Sequence, residues 1–568
     1  MSSTTSSSAK FTVVQWLVII IASIGFLFDT YELLMTPLVG VPAIAEFLQV
    51  PPNNPLVTKW VGNLLWLSAL SGGVFGLLGG WLIDRFGRKR IMALSIFVYA
   101  LSPVAAALST TLNMFIFFRC LTFIGVCVEF VAAITWLAEL FPEKRRKELA
   151  LGTTQAFASL GGLLVTGINS WILLRANTLP ALPLPEIFNG HASWRYTLLT
   201  GLLPAIPIAL LLPFVPESQI WKEKRAAGTL KRPSFGELFA PGLCRVTLIT
   251  ALLSACAYAA AFGALQLTPL RIAPGLPELS EQRQALKPLQ DEAKDLNGQL
   301  AAVMPAFRKG LKDIPGLDLL TVQRAKARLA MRAAKKSLDD PSADDAKKAA
   351  AKEQLATLGK GFSKLETNLV ELTESQPEAK AAVQAREKIL KLLGDNREKQ
   401  EPLDLAVKTV GNKMQFAQES GGLVGRIILA VLLLTAMTRR NLLRLFLVPG
   451  LIMLPLTYWV FYKQSGSMME TGIFLSGLLI VAQFSYFGEY LPKIFPLHLR
   501  GTGGSFATNV GGRMIGTSAA FLTTNWLAPM FTGSTFDQVA LAAGVVGLVV
   551  FAIALGASFL LPEPPVES

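Results

Sequence analysis

The 568-residue chain is 52% hydrophobic and only 16% charged, with a positive mean hydropathy, a composition that excludes a soluble enzyme of this length and fits a multi-span membrane protein. Two histidines and four cysteines are too few for a metal centre, so neither metal nor cofactor is expected. The net charge of +14 falls mainly on short loops along one side of the predicted membrane plane, which accounts for it by topology and leaves nucleic-acid binding without support.

A polar Ser/Thr tail, 1–12, precedes an apolar run over 13–37 that is too long for a signal-peptide core and lacks a small-residue cleavage site; it reads as a retained first helix. Further runs long enough to cross ~30 Å of hydrocarbon follow at 58–83, 91–108, 112–140, 150–173 and 195–213. A second set lies at 244–268, 421–437, 442–462, 470–490, 502–526 and 538–561. The expected fold class is an all-α membrane protein with twelve transmembrane helices in two six-helix pseudo-repeats. Its predicted parts are a six-helix bundle over 13–213, a cytoplasmic linker at 214–243, helix seven within 244–274, an insert over 275–420, helices eight to twelve within 421–561, and a tail at 562–568. Cys120, Cys127, Cys244 and Cys256 sit in or beside apolar segments and read as buried small hydrophobes, not as a disulfide framework.

Orientation follows from the basic residues. Arg85, Arg88, Lys89 and Arg90, then Lys144 to Lys147, then Lys222, Lys224 and Arg225, then Arg439, Arg440 and Arg444 all fall on one side. Positively charged short loops stay in the cytoplasm. Both termini are therefore expected there, in a bacterial inner (cell) membrane.

Between the second and third runs lies Gly80-Trp81-Leu82-Ile83-Asp84-Arg85-Phe86-Gly87-Arg88-Lys89-Arg90. It resembles, nearly letter for letter, the G-x-L-x-D-R-x-G-R-[KR]-[KR] loop of major facilitator superfamily transporters. Pro216-Glu217-Ser218-Gln219-Ile220-Trp221 is similar to the P-E-S-x-x-[WF] signature of the sugar-porter-like branch, and Glu139-Leu140-Phe141-Pro142 with Arg145-Arg146 to its element after span four. The resemblance spans all twelve runs and omits the insert. It implies a gating role at the cytoplasmic side for Gly80, Asp84, Arg85, Gly87, Arg88, Lys89, Glu139 and Arg146. The sugar porters' glutamine pattern in span seven and tryptophan pattern in span ten are missing, as is the Gly-Pro kink that drug antiporters carry in span five. What remains resembles the aromatic-acid and metabolite:proton symporters, whose first span carries D-x-x-[DE], as Asp29 and Glu32 do here.

The halves repeat. Trp136-Leu137-Ala138-Glu139-Leu140-Phe141-Pro142 with Arg146 aligns with Tyr490-Leu491-Pro492-Lys493-Ile494-Phe495-Pro496 with Arg500 at a constant offset, which also pairs Thr154-Gln155 with Thr508-Asn509 and Glu129 with Gln483. The charged loop recurs around Arg439 and Arg440 without its aspartate.

The 275–420 segment has balanced charge and cannot enter a bilayer. Leu355, Leu358, Phe362, Leu365, Leu369 and Leu372 form an a/d seam that predicts helix-on-helix, coiled-coil-like packing. A second stripe runs through Leu286, Leu289, Leu296, Leu300 and Val303. Ser342 is the expected helix start, with Asp344 and Asp345 in the first turn, and Pro315 and Pro377 are expected breaks. The topology puts this bundle outside the cytoplasm, where it could meet a partner or a second copy.

Ionisable residues inside a span cost at least ~2.5 kcal/mol at its centre and are functional candidates by default. Asp29 and Glu32 share a helical face, so one cavity is expected to hold both, and the depth of Arg119 on span four suggests an ion pair with Asp29. Glu129 and Arg513 fall near the midplane. Arg513, Arg119, Asn509, Gln155 and Gln483 are the candidate substrate-binding residues; Asp29, Glu32 and Glu129 are the candidate proton carriers. Trp194 and Trp221 read as interfacial anchors. The expected partners are protons, a small-molecule substrate and the lipid bilayer. The leading expectation is a non-enzymatic, proton-coupled symporter of a small organic anion. A sugar, polyol or phosphate symporter, and a membrane-anchored receptor or scaffold acting through the insert, are the rivals.

Overall fold

Thr12 opens the first helix by chemistry visible in the sequence: its hydroxyl accepts from the Gln15 amide at 3.2 Å while the Gln15 side chain accepts from the Thr12 amide at 3.0 Å. The computed structural model describes residues 12–564 except 141–143, 186–187, 204, 215–216, 218, 228–234, 340–343, 375, 434, 436 and 497–498. Some helical residues are described by backbone alone, among them Gly80, Asp84, Glu139, Arg146 and Gln155.

The N-terminal half comprises α1 (Val13–Leu48), α2 (Pro55–Phe86), α3 (Arg88–Ala107), α4 (Leu112–Leu140), α5 (Lys144–Arg175), α6 (Ser193–Leu199) and α7 (Ala205–Leu211), with α8 (Gln219–Ala226) in the linker. Asn54 caps α2, whose first residue is Pro55, a position that needs no amide donor. The C-terminal half begins with α9 (Cys244–Gly263) and resumes with the end of α13 (Pro377–Leu432). It continues through α14 (Arg439–Pro455), π-helical Leu456–Phe461 and α15 (Tyr462–Gln464), then α16 (Gly466–Ile494) and α17 (Arg500–Ser505). After these come π-helical Phe506–Gly516, α18 (Ser518–Phe521), π-helical Leu522–Leu527 and α19 (Thr535–Ser558).

Among the described residues, eight helices are long and apolar enough to cross a membrane: Gln15–Leu48, Pro55–Gly79, Arg88–Ala107, Leu112–Leu137, Cys244–Leu267, Arg439–Gln464, Gly466–Leu491 and Thr535–Ser558. That is fewer than the twelve spans expected. The 150–173 run belongs to α5, which starts with the basic Lys144–Lys147 cluster, and 195–213 divides between α6 and α7 near Pro204 and Pro207. The 421–437 run is the end of α13, and 502–526 alternates between α and π turns in a glycine-rich stretch.

Two compact units are present. One contains 1–176, 191–281 and 406–568; the other contains Asn177–Gly190 and Gln282–Leu405. The second unit is narrower than the expected 275–420 insert and gains the 177–190 segment. It holds α10 (Ser280–Asp313), α11 (Leu317–Asp339), α12 (Asp345–Thr373) and the first part of α13. The seam of α12 is its least exposed stripe and α12 lies against α11, while Leu296 and Leu300 of the second stripe pack on Ile389 and Leu393. Asp344, and not Ser342, caps α12: it accepts from the Lys347 amide at 2.8 Å, and Ser342 lies outside the described residues.

Within the first unit the halves meet along two seams. Glycines of α2 admit the 506–516 segment: a Cβ on Gly73 would come 2.6 Å from Met514, and one on Gly76 would come 2.7 Å from Asn509 Oδ1. On the other seam, Asn169 of α5 donates to Asn412 of α13 at 2.9 Å, and Asn412 donates to the Thr166 carbonyl at 3.1 Å. Near the α1–α2 loop, Arg271 donates to the Pro52 carbonyl and the Thr58 hydroxyl, and Thr535 donates to the Asn53 carbonyl at 2.9 Å.

Candidate functional site

α1 and α4 run antiparallel, so a turn further along one is a turn back along the other. Arg119, ten residues before Glu129, therefore sits beside Glu32 and not beside Asp29. Its Nη1 is 3.5 Å from Glu32 Oε2, and Nη2 donates to the Glu32 carbonyl at 2.9 Å and to Thr36 Oγ1 at 2.7 Å. The expected Asp29–Arg119 pair is replaced by this one. Arg119 and Glu32 are both fully buried, so Glu32 is an interior residue with a dedicated partner.

Asp29 instead meets Glu129, whose carboxyl lies within hydrogen-bonding reach of it. The space for Glu129 comes from Gly25, where a Cβ would collide with the carboxyl. Among the described residues, no side chain donates a hydrogen bond to either carboxyl. Across the seam between the halves, the Arg513 guanidinium faces Asp29 and Cys127 and lies 5.6 Å from the Phe130 ring. Arg513 Nη1 donates to Asn509 Oδ1 at 2.8 Å, and Asn509 donates onward to Ser505 Oγ at 3.1 Å. Asn509 is thus a positioning group for the arginine. Tyr258 of α9 interacts electrostatically with Arg513 and packs edge-on to Phe484 at 4.9 Å.

Of the remaining candidates, Gln483 is buried but donates along its own helix to the Leu479 carbonyl at 3.1 Å. That bond is a helix-packing arrangement. The Gln155 side chain lies outside the described residues.

A second polar face went unrecognised in the sequence. Asn412, Gln415, Glu419, Gly422 and Arg426 fall at 3-4-3-4 spacing along α13, with Gln418 beside them. The apolar run begins only at 421, which placed Gln415 to Glu419 in the insert, whereas α13 runs on unbroken and takes them into the membrane body. Gln415 and Gln418 both donate to Glu419 Oε1, at 2.9 and 2.8 Å, and Glu419 reaches the opposite half at Gly162, where a Cβ would not fit. Arg426 interacts electrostatically with Glu419 and with Tyr258. The 3-4-3-4 polar stripe was the available signal.

The charged turn ends α2 at Gly87, which adopts φ 100°, a value few other residues tolerate. The next two amides, of Arg88 and Lys89, donate to the Glu217 carboxylate at 3.1 and 3.2 Å. A carboxylate at a helix N-terminus satisfies orphan donors and meets the positive end of the dipole. In the other half, the amides of Arg439 and Arg440 both donate to Glu563 at 3.0 Å. The repeated Pro-Glu at 216–217 and 562–563 therefore has one job in both halves, and Glu563 was missed in the sequence. Arg88 is buried, with Trp221 5.9 Å away, and Arg85 is exposed. The side chains of Asp84, Glu139 and Arg146, and the surroundings of Gly80, lie outside the described residues. Trp221 and Trp194 are not interfacial anchors: both are buried, and Trp194 donates to Glu46 Oε2 at 2.7 Å. Glu217→Ala is expected to lower the melting temperature of the purified protein by about 1 °C, the effect of losing a cap worth about 1 kcal/mol in a chain of this length. An unchanged melt would remove Glu217 from this role.

Residues 11–285 match the family model described as Major Facilitator Superfamily. Over these residues, just under half of its length, the chain resembles members of that superfamily. Its relatives include the cis,cis-muconate transport protein of Acinetobacter baylyi, 28% identical over 189 residues, covering 32% of this chain and 42% of the relative. The arabinose-proton symporter of Bacillus subtilis is 28% identical, covering 30% and 34%, and the 4-hydroxybenzoate transporter PcaK of Pseudomonas aeruginosa is 33% identical, covering 28% and 33%. The matches thus span well under half the length of these relatives. In structure, the chain resembles the D-xylose-proton symporter at TM-score 0.58 and 14% identity, over 97% of this chain and 99% of the other. That likeness shows the fold. Together with the apolar helices, the family makes the chain an integral, multi-pass membrane protein, and the members it resembles are transporters, not enzymes.

Proposed function

We propose that this chain is a secondary active transporter of the major facilitator type that carries a small organic anion together with protons by alternating access. The observation that carries the reading is Arg513, which reaches from one half of the molecule to the Asp29–Glu129 carboxyl pair of the other. Two carboxyls that meet hold a hydrogen bond only when they share a proton, and a guanidinium beside them competes with that proton for the negative charge. A substrate carboxylate bound bidentately by Arg513 draws the guanidinium away from Asp29, so that proton and anion are taken up as one electrically balanced load. Rearrangement of the halves then exposes both to the other side. Arg119, neutralised by Glu32 and bonded to Thr36, holds α1 against α4 during that motion, so Glu32 and Arg119 serve the scaffold more than the cargo. The charged loop, with Asp84, Arg85, Arg88, Lys89, Glu139 and Arg146, acts as the cytoplasmic gate, with both termini on that side of a cell membrane.

The relatives named for muconate and 4-hydroxybenzoate support an acid as cargo; those named for arabinose and xylose keep a sugar as the second reading. A receptor or scaffold would have no use for Glu129 and Arg513 in the membrane interior. Uptake of a labelled acid panel and a sugar panel into proteoliposomes, with and without an imposed pH gradient, tests the proposal. Acids accumulating only with the gradient is the expected result; gradient-driven sugar uptake without acid uptake overturns it.

The bundle over 282–405 lies outside the cytoplasm in this reading and is dispensable for transport, serving a partner or self-association. Replacing 282–405 by a Gly/Ser linker, with 406 onward retained so that Gln415 to Arg426 stay in place, is expected to leave uptake at a substantial fraction of the wild-type rate. Monodisperse, correctly inserted and inactive deletion protein would show that the bundle takes part in the cycle.

A further inference from the structure

Gln415, Gln418 and Glu419 form a polar cluster inside the membrane body that the transport reading above does not use. All three are at least nine-tenths buried. Their amide groups converge on Glu419 Oε1, which leaves the side-chain oxygens of Gln415 and Gln418 without any hydrogen-bond donor. Buried acceptors left empty are costly and rare. The cluster lies on the seam between the halves, since Glu419 ends against Gly162 of α5. Two helical turns along the same face of α13, about 10 Å away, stands Arg426, which shares Tyr258 with Arg513.

We infer that the cargo is a hydroxylated carboxylic acid, a sugar acid or polyol acid, whose carboxylate is held at Arg513 and Arg426 beside Tyr258 and whose hydroxyls donate to Gln415 and Gln418. The inference rests on the anion reading and narrows it. A hydroxyl both donates and accepts, so a polyol chain supplies the two missing donors and can accept from the amide groups as well. A bare aromatic or aliphatic acid leaves both oxygens unsatisfied. A neutral sugar fills the glutamines but offers no carboxylate to Arg513. Gln418 lies eight residues from Arg426, about 12 Å along the helix, a distance that a short polyol chain with its carboxylate at one end bridges together with the two side chains.

Three probes of matched length separate these possibilities: sodium D-gluconate, sodium hexanoate and D-glucose, each titrated against the purified full-length protein by microscale thermophoresis. Gluconate is expected to bind at least about tenfold more tightly than either of the others. In Gln415→Leu and Gln418→Leu, gluconate is expected to fall to the affinity of hexanoate while hexanoate itself is unchanged, a pattern that a merely misfolded variant cannot give. Arg513→Lys is expected to weaken gluconate and hexanoate alike. Equal binding of gluconate and hexanoate in the wild type overturns the hydroxyl site and leaves the anion reading standing. Glucose binding as tightly as gluconate overturns the anion reading itself. Failure of all three probes to bind overturns the assignment of a hydroxylated six-carbon acid.

Discussion

Glu129→Gln is expected to abolish accumulation driven by a pH gradient while preserving exchange of internal for external substrate. The amide has the shape of the carboxyl it replaces and fits the space that Gly25 leaves open. It hydrogen-bonds Asp29 through a permanent N–H, so the pair no longer takes up and gives back a proton. One proton moved with each monovalent anion supports about tenfold accumulation per pH unit, since each such step is worth about 1.4 kcal/mol. The variant is expected to show no accumulation at all at equal exchange rate. Concentrative uptake at the wild-type level would remove Glu129 from coupling and leave it as a packing partner of Asp29.

Arg513→Lys has the second large effect. The charge survives, but the planar fork does not, and an ammonium on a flexible stem cannot hold a carboxylate through two parallel bonds while also donating to Asn509. Loss of one charge-assisted bond, worth about 1.5–3 kcal/mol, corresponds to a rise of about 10- to 100-fold in the apparent KM for the best acid. Initial rates of uptake over a range of acid concentration check this. An unchanged KM would take Arg513 out of the binding site and turn attention to Arg426.

Length and hydropathy predicted α2 to α4 to within about three residues at each end, because each is a single apolar run closed by a cap or a charged turn, whereas α1 continues past the expected end at 37 to Leu48. Asp29, Glu32, Arg119, Glu129 and Arg513 were equally legible, since an ionisable residue in an apolar run stands out by composition alone, although Arg426 inside the 421–437 run was passed over. Their pairing was not. Whether Arg119 meets Asp29 or Glu32 depends on the rotation and stagger of α1 against α4, which no one-dimensional pattern carries. The start of the eighth span was misplaced for a related reason. Asn412, Gln415, Gln418 and Glu419 are polar by residue type but buried between helices of the protein, so a hydropathy window assigned them to the water-exposed insert. Glu563 shows a different limit: the Pro-Glu pair at the end of the last helix is too short a motif to notice until its carboxylate is seen on the amides of Arg439 and Arg440.

The central claim is that anion and proton move together through one site. It is tested most directly by proteoliposomes carrying a pH-sensitive dye inside, with equal pH on both sides and no membrane potential, to which the transported acid is added outside. The account expects the lumen to acidify in proportion to the acid taken up, and the acidification to vanish in Glu129→Gln while exchange continues. Uptake of the acid with no change in lumenal pH would contradict it.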